Sequence, residues 1–463
     1  MATIYYHDIG DYLSREEKLT RIRNNHSISG MQWETLAPNE KQDWINLRDE
    51  SFDDLISITP DKNKGQSTKS FFSMVAIGVA TNRDSWSCNF SKNEIEHNIK
   101  SCITHYNEQR EKYHREASQN SSINIEDFVN ADATKISWTR ALRRYLGNDT
   151  VILFDRNKIF YYQYRPFQKQ YVYYQRYLVE SPGIWENVFP TSAHRNLVIC
   201  VSCVKTPTVI LTNCLTDLHF DGDSQCFPLY WYEENKNKQK SLFDAESSDD
   251  YIRRDGITDW ILTEVRTRYG TRNITKEMIF YYVYGLLHSK DYRERFAADL
   301  KKSLPRIPIV DSLDDFMDFY KAGKALAELH LNYETVAPCP DVVVHGDRQI
   351  ADDGAYNYFR VVDKMRFRSK NDKSVIIYNG NITIENIPQK AYEYIVNGKS
   401  AIEWIVERYA VTIDKKSLIK NDANDWAREH GKPRYILDLL LSVINVSVQT
   451  VDIVNSLPKL KFD

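Results

Sequence analysis

Between Lys135 and Arg176 the sequence sets nine Lys/Arg against two acids, Asp149 and Asp155, and interleaves them with eleven aromatic side chains. The chain as a whole carries a formal net charge of −3, so this cationic window is a local patch and not a chain-wide bias. Cations at this density neutralise phosphates and release counterions. Arg and Gln side chains can also read purine edges, and exposed aromatics can stack on bases. Arg140, Arg143, Arg144, Arg165, Lys169 and Arg176 are therefore candidate phosphate contacts, and Gln168 and Gln170 candidate base readers. The competing reading makes the tyrosines a sheet core with polar tips and pairs the arginines with acids from elsewhere. A smaller cluster, "VDKMRFRSKNDKS", spaces Lys364, Arg366, Arg368 and Lys370 at alternate positions. On a strand these share one face; Arg366 and Arg368 are second candidates for DNA contact, against the alternative of an edge strand guarded by charge.

Other groupings favour structure over chemistry. Cys200 and Cys203 form a C-x-x-C with Cys214 and Cys226 downstream, but "NLVICVSCVKT" has no Gly or Pro to shape a zinc knuckle. Residues three apart on a strand point to opposite faces, so core packing is expected and no metal site is assigned. His345, Asp347, Asp352 and Asp353 in "VVVHGDRQIADDG", and His219, Asp221 and Asp223 in "DLHFDGDSQ", read as solvated loops.

The absences are informative. The closest glycines, Gly346 and Gly354, are eight residues apart, so neither G-x-G-x-x-G nor a P-loop can be present. No two prolines are adjacent, which excludes the Asn/Asp-Pro-Pro-aromatic loop of amino-methylating DNA methyltransferases, and H-E-x-x-H and G-x-S-x-G are missing. The chain holds no complete cofactor-using enzyme of a common class, and no cofactor is assigned to it. Seven thinly spread cysteines suit reduced thiols in the cytoplasm. No apolar run approaches the length of a membrane span, and the N-terminus does not read as a signal peptide.

The elements that must position these residues read as a mixed α/β chain. Residues 1–110 are mixed α/β, with a helix at "YLSREEKLTRIRNN" capped by Ser14. Residues 111–150 connect by helices, with a boundary expected in the polar stretch 107–135. The next part, 151–463, divides into a β-rich region (151–235), a helical region (257–335) and a mixed region (336–463). "TVILF", "KIFYYQY", "QYVYYQRYLV", "NLVICVSCV", "PTVILTN" and "CFPLYWY" read as strands. Thr275 and Ser312 are expected to start helices, "PQKAYEYIVNGKSAIEWIVERY" reads as a helix broken near Asn397-Gly398, and Pro433 suits the first turn of a last helix to about Asn455.

"GVATNRDSWSCNFS", "KISWTRALRRYL", "YRPFQKQYVYY", "TNCLTDLHF" and "ITKEMIFYYVYGLLHSKDYRERFAADLKKSLPRIP" occur here in the order in which similar blocks occur in the C-terminal region of type ISP restriction-modification enzymes. The resemblance runs from about Ile4 to Trp426. It implies the tail of a methyltransferase domain (roughly 1–110) followed by a target-recognition domain that binds double-stranded DNA. The nuclease, the helicase-like ATPase and the N6-adenine methyltransferase, with their S-adenosylmethionine, ATP and Mg, would then lie in upstream parts, in one polypeptide or as a separate subunit. It also implies that Arg83 and Asp84, in "GVATNRDSW", either link methyltransferase to recognition domain or meet DNA. A stand-alone adenine methyltransferase with degenerate motifs, and an inactive remnant of a split restriction gene, are the alternatives.

Overall fold

A computed structural model describes residues 3–10, 13–45, 48–60, 69–120, 122–202, 208–220, 222–236, 250–350 and 354–462. It is a mixed α/β structure with several small sheets, and forms two compact units, Met1–Phe52 and Asp53–Asp463.

In the smaller unit, strand Ile4–Tyr6 pairs antiparallel with Glu34–Leu36, and helix Arg15–Asn24 lies between them in sequence. Ser14 and Glu17 complete the capping box at its start. No residue of this helix is buried. Among the described residues of the unit only Asp43 and Phe52 are buried, while Tyr5, Ile28, Trp33 and Trp44 are exposed.

The larger unit has three four-stranded sheets among its described residues, two of which form its first half. In the first, the antiparallel hairpin Ile159–Arg165/Gln168–Tyr173 is flanked by Cys88–Asn89 on one side and by Leu215–Thr216, parallel, on the other. The second orders Ala76–Ile77, Gln225–Pro228, Val198–Ser202 and Thr208–Thr212. Both faces of the tyrosine-rich hairpin are covered over most of its length, so most of both sets of alternating side chains are packed; Tyr161 is the exposed exception. Phe160, Tyr162 and Val172 enter a core shared with the C-terminal helices. Ile159, Tyr171 and Tyr173 pack with Ile95, Ile99, Cys102 and Tyr106 of helix Lys92–Ala117.

The C-terminal part closes back on this sheet. Asn89 donates to the Lys420 carbonyl at 2.9 Å, and the Phe90 amide donates to Asn421 at 3.0 Å. Glu429 accepts from the Ser91 hydroxyl at 2.5 Å and from the Lys92 amide at 3.0 Å, so a carboxylate from 337 residues downstream sits on the N-terminus of helix Lys92–Ala117. Helix Tyr435–Asn455 is long and apolar enough to cross a membrane by length and composition. Here it is the central core helix, burying Leu437, Leu439, Leu440, Val443 and Ile444. Helices Lys276–Leu286 and Leu313–Leu331 cross where Gly285 meets Gly323; a Cβ on Gly323 would lie 1.9 Å from the Tyr281 carbonyl oxygen.

Several sequence expectations differ from this structure. The compact units divide at Phe52–Asp53, not near residue 110, because Ala76–Ile77 and Cys88–Asn89 complete sheets whose other strands come after residue 158. The expected boundary stretch instead begins within the 26-residue helix Lys92–Ala117. "TVILF" joins no ladder among the described residues. Asn397-Gly398 is not a helix break: both residues have positive φ (48° and 77°) and form the tight turn of hairpin Ile395–Val396/Lys399–Ser400. The helix, Ala401–Arg408, begins only after it.

Candidate nucleic-acid interface

The nine cations of the window have different surroundings. The Arg165 guanidinium donates to Asp217 at 2.7 Å, lies over the Tyr164 ring at 4.0 Å, and is only 15% exposed. Burial works against its charge, but Asp217, Tyr164, Asp84 and Tyr162 together outweigh this and raise its pKa. Asp217 also accepts from the Tyr162 hydroxyl at 2.6 Å, and burial still pushes its carboxyl above the ordinary range. Lys169 is held by Glu334 at 3.1 Å beside the Tyr333 ring. Arg143 pairs with Glu126 at 3.1 Å, and Arg156 with Glu96 at 3.0 Å. For Arg143, Arg156, Arg165 and Lys169 the reading of arginines paired with acids from elsewhere holds, and Arg165 is not placed to meet a phosphate at the surface.

Gln168 and Gln170 are 4% and 2% exposed. The Gln168 amide donates to the Arg408 carbonyl at 3.2 Å, and Gln170 accepts from Asn421 at 3.3 Å. They tie the sheet to the C-terminal segment and are too buried to reach a base edge in a duplex groove, which corrects their assignment as base readers; Gln170 also lines the cleft described below. The cause is the second covered face of the sheet.

Arg140, Arg144 and Arg176 are exposed and enter no ion pair among the described residues. Thr139 caps helix Arg140–Gly147, and Tyr145 meets Tyr177 edge-on at 5.0 Å. That contact brings the helix beside the segment carrying Arg176. Arg366 and Arg368 are also exposed, although only Arg366–Phe367 is strand, at the edge of the sheet completed by Ile376–Ile377, Thr383–Glu385 and Val343–His345. Arg368 pairs with Glu385 at 2.6 Å. Arg366 lines an open hollow of about 480 Å³ with Arg360, Lys364, Asn379 and Asn381.

Arg83 and Asp84 are spent inside the larger unit. Arg83 is buried and donates to Thr139, the cap of helix Arg140–Gly147, at 2.8 Å; burial lowers its pKa. Asp84 accepts from the Tyr164 hydroxyl at 2.9 Å and from Thr81. They do not pair with each other among the described residues, and Arg83 is closed off from the surface.

The metal-like groupings hold no candidate site: among the described residues no cluster of three or more His, Cys, Asp or Glu could hold an ion. Cys200 and Cys226 face each other across two strands with their sulfurs 3.5 Å apart, buried and not joined by a disulfide. His219 pairs with Asp223 at 3.4 Å and His345 with Glu385 at 3.1 Å, while Asp347 is held by Arg434. Cys203, Asp221, Asp352 and Asp353 lie outside the described residues.

Sequence reasoning did not single out a cleft of about 520 Å³ above the tyrosine hairpin. Tyr161 and Tyr171 form part of its floor, and Lys92, Arg195, Glu334 and Trp426 stand around it. The tyrosine rings stack at 4.8 Å with their hydroxyls 3.1 Å apart. Lys92 lies 6.0 Å above the Tyr171 ring. Cations beside an aromatic platform suit a polyanion with flat bases.

The model of the Type ISP C-terminal specificity domain matches residues 70–439. The chain belongs to this family. Solved structures agree across this specificity domain. A nuclease-deletion mutant of the Type ISP restriction-modification enzyme LlaGI, in complex with a DNA substrate mimic, matches 100% of the chain at 35% identity and TM-score 0.82. The ATP-dependent Type ISP restriction-modification enzyme LlaBIII, bound to DNA, matches 100% at 36% identity and TM-score 0.83. A DrdV–DNA complex matches 99% at 26% identity and TM-score 0.80. The chain spans 33% of the LlaGI chain, 28% of the LlaBIII chain and 44% of the DrdV chain. A comparison with curated proteins finds no match.

Proposed function

We propose that this chain is the DNA target-recognition part of a type ISP-like restriction-modification enzyme. The observation that carries the reading is the match, over essentially the whole chain, to three proteins captured on DNA. The exposed group Arg140, Arg144 and Arg176 supplies phosphate contacts, and Lys364 and Arg366 supply a second set. Adenine methylation with S-adenosylmethionine, ATP- and Mg-dependent translocation, and cleavage belong to parts outside this chain, and the assembly works in the cytoplasm. Residues 3–45 fit a role as the tail of the methyltransferase. A unit with so few buried residues and with Tyr5, Ile28, Trp33 and Trp44 exposed gains its core from a partner surface. The upstream methyltransferase, in the same polypeptide or as a subunit, is that partner.

The test is selection of bound duplexes from a random-sequence pool, followed by a salt series on the winner. Enrichment of one site, with affinity falling steeply with salt, is the expected result. Absence of any duplex binding at low salt would overturn the reading.

A further inference from the structure

The cleft above the tyrosine hairpin has one aromatic face still open. Trp426 stacks on the His430 ring at 4.0 Å and packs against Tyr435 at 4.0 Å, so its two neighbours are already aromatic. Tyr171 is buried beneath Tyr161 and makes contact with His430 through its hydroxyl at 3.3 Å. Tyr161 alone is 49% exposed, between Phe160 and Tyr162, which are 4% and 0% exposed. A half-exposed phenol fixed on a stacked partner is a rigid platform and loses little freedom when a second ring lies on it.

The charges around it favour a phosphate-bearing ligand. Glu334 is engaged by Lys169 and accepts from the Tyr435 hydroxyl at 3.0 Å. Lys92 and Arg195 enter no ion pair among the described residues, and both line the cleft. Asn213 and Ser192 add exposed neutral hydrogen-bonding groups at the rim. The volume of about 520 Å³ lies in the range of pockets that enclose a small organic molecule. A continuous duplex keeps its bases stacked on one another, so the face of Tyr161 can be used only by a base that has left the stack.

We infer that this cleft holds an unstacked nucleobase of the bound DNA, the base lying on Tyr161 and its phosphates against Lys92 and Arg195. The inference rests on the DNA-recognition reading and adds a specific state of the substrate to it.

The experiment compares binding of a continuous duplex with that of the same duplex carrying one extrahelical 2-aminopurine. The chain is used as it stands, with Tyr161→Ala, Tyr161→Leu and Tyr161→Phe variants. The wild-type chain binds the bulged duplex about tenfold more tightly than the continuous one, and 2-aminopurine fluorescence is quenched on binding. Tyr161→Phe keeps the preference and the quenching, because the ring does the stacking. Tyr161→Ala loses both; Tyr161→Leu, which keeps apolar bulk without a π-face, loses both as well and stands in if the alanine variant does not fold. Equal affinity of the wild-type chain for the two duplexes, or a preference that survives Tyr161→Leu, would overturn the inference while leaving duplex recognition standing. Failure to bind either duplex would overturn both.

Discussion

Arg165 and Asp217, 52 residues apart in sequence, meet at 2.7 Å beneath the tyrosine hairpin, with the Tyr162 hydroxyl on the same carboxylate. Removing the cation leaves a buried acid with the Tyr162 hydroxyl and the His219 amide but no positive charge beside it. Arg165→Ala is expected to cost about 3–5 kcal/mol of stability, read as a lower urea midpoint with unchanged slope. Asp217→Asn, which keeps the hydrogen-bonding shape and removes the charge, still leaves a buried guanidinium unpaired and is destabilising too. Loss of DNA binding in Arg165→Ala would thus follow from lost structure.

The exposed arginines behave in the opposite way. Arg140→Ala/Arg144→Ala/Arg176→Ala is expected to leave the urea midpoint nearly unchanged, since surface substitutions cost at most about 0.5 kcal/mol each. If the three contact phosphates, the slope of log affinity against log salt falls by up to about 3. A salt series on one duplex, wild type beside the triple variant, measures this. An unchanged slope would remove this surface from the footprint.

The helix crossing at Gly285 and Gly323 tolerates no added methyl. With a Cβ on Gly323 set 1.9 Å from the Tyr281 carbonyl oxygen, the helices must separate, and Gly323→Ala is expected to cost about 1–3 kcal/mol. Thermal denaturation would show it. Gly270→Ala tests a different effect: nothing lies within 4 Å of its Cβ, but φ is +64° at the end of helix Asp259–Tyr269. The loss there is smaller, about 1 kcal/mol, from the left-handed backbone alone.

Acid should loosen the helical region before the pH at which carboxylates titrate. His288 is buried, hydrogen-bonded to the Tyr284 carbonyl and close to Arg293, and burial lowers its pKa to about 4. His330, between the Tyr284 and Thr450 hydroxyls, is pushed well down by burial and by His288. Both are neutral in the fold, whereas the unfolded chain takes up protons below about pH 6.5. Their contribution is intact above that pH and falls away towards pH 4, by about 3 kcal/mol for His288. Urea titrations at pH 7.5, 6 and 5 would show the decline. His288→Gln, which removes the titrating group, is expected to flatten it.

Much of the fold could be read locally. Most of the Val-, Ile- and Tyr-rich runs became strands, and Ser14, Thr275 and Ser312 each accept the backbone hydrogen bond of a helix cap, because capping and strand propensity act within a few residues. The site was less legible. Gln168 and Gln170 alternate with larger side chains as outward-facing residues do, but a strand covered on both faces has no outward side. Arg165 sits in a visibly basic run, yet its partner lies 52 positions away, and the acids on Arg143, Arg156 and Lys169 are also distant in sequence. Tyr161 stands in a run of tyrosines that sequence alone cannot rank; only the packing leaves one of them half open.

The clasp of Glu429 on the start of helix Lys92–Ala117 has a bearing on how the chain is made. Strand Cys88–Asn89 and that helix emerge from the ribosome early, while the groups that complete their hydrogen bonding arrive more than 330 residues later. At about 5–20 residues per second, the nascent sheet edge and helix face wait tens of seconds for their cover. Contacts of such long range also slow the folding step itself. Biogenesis of this domain is therefore a race between translation and aggregation, and slower synthesis or scarce chaperones would lower its soluble yield even with every native contact intact.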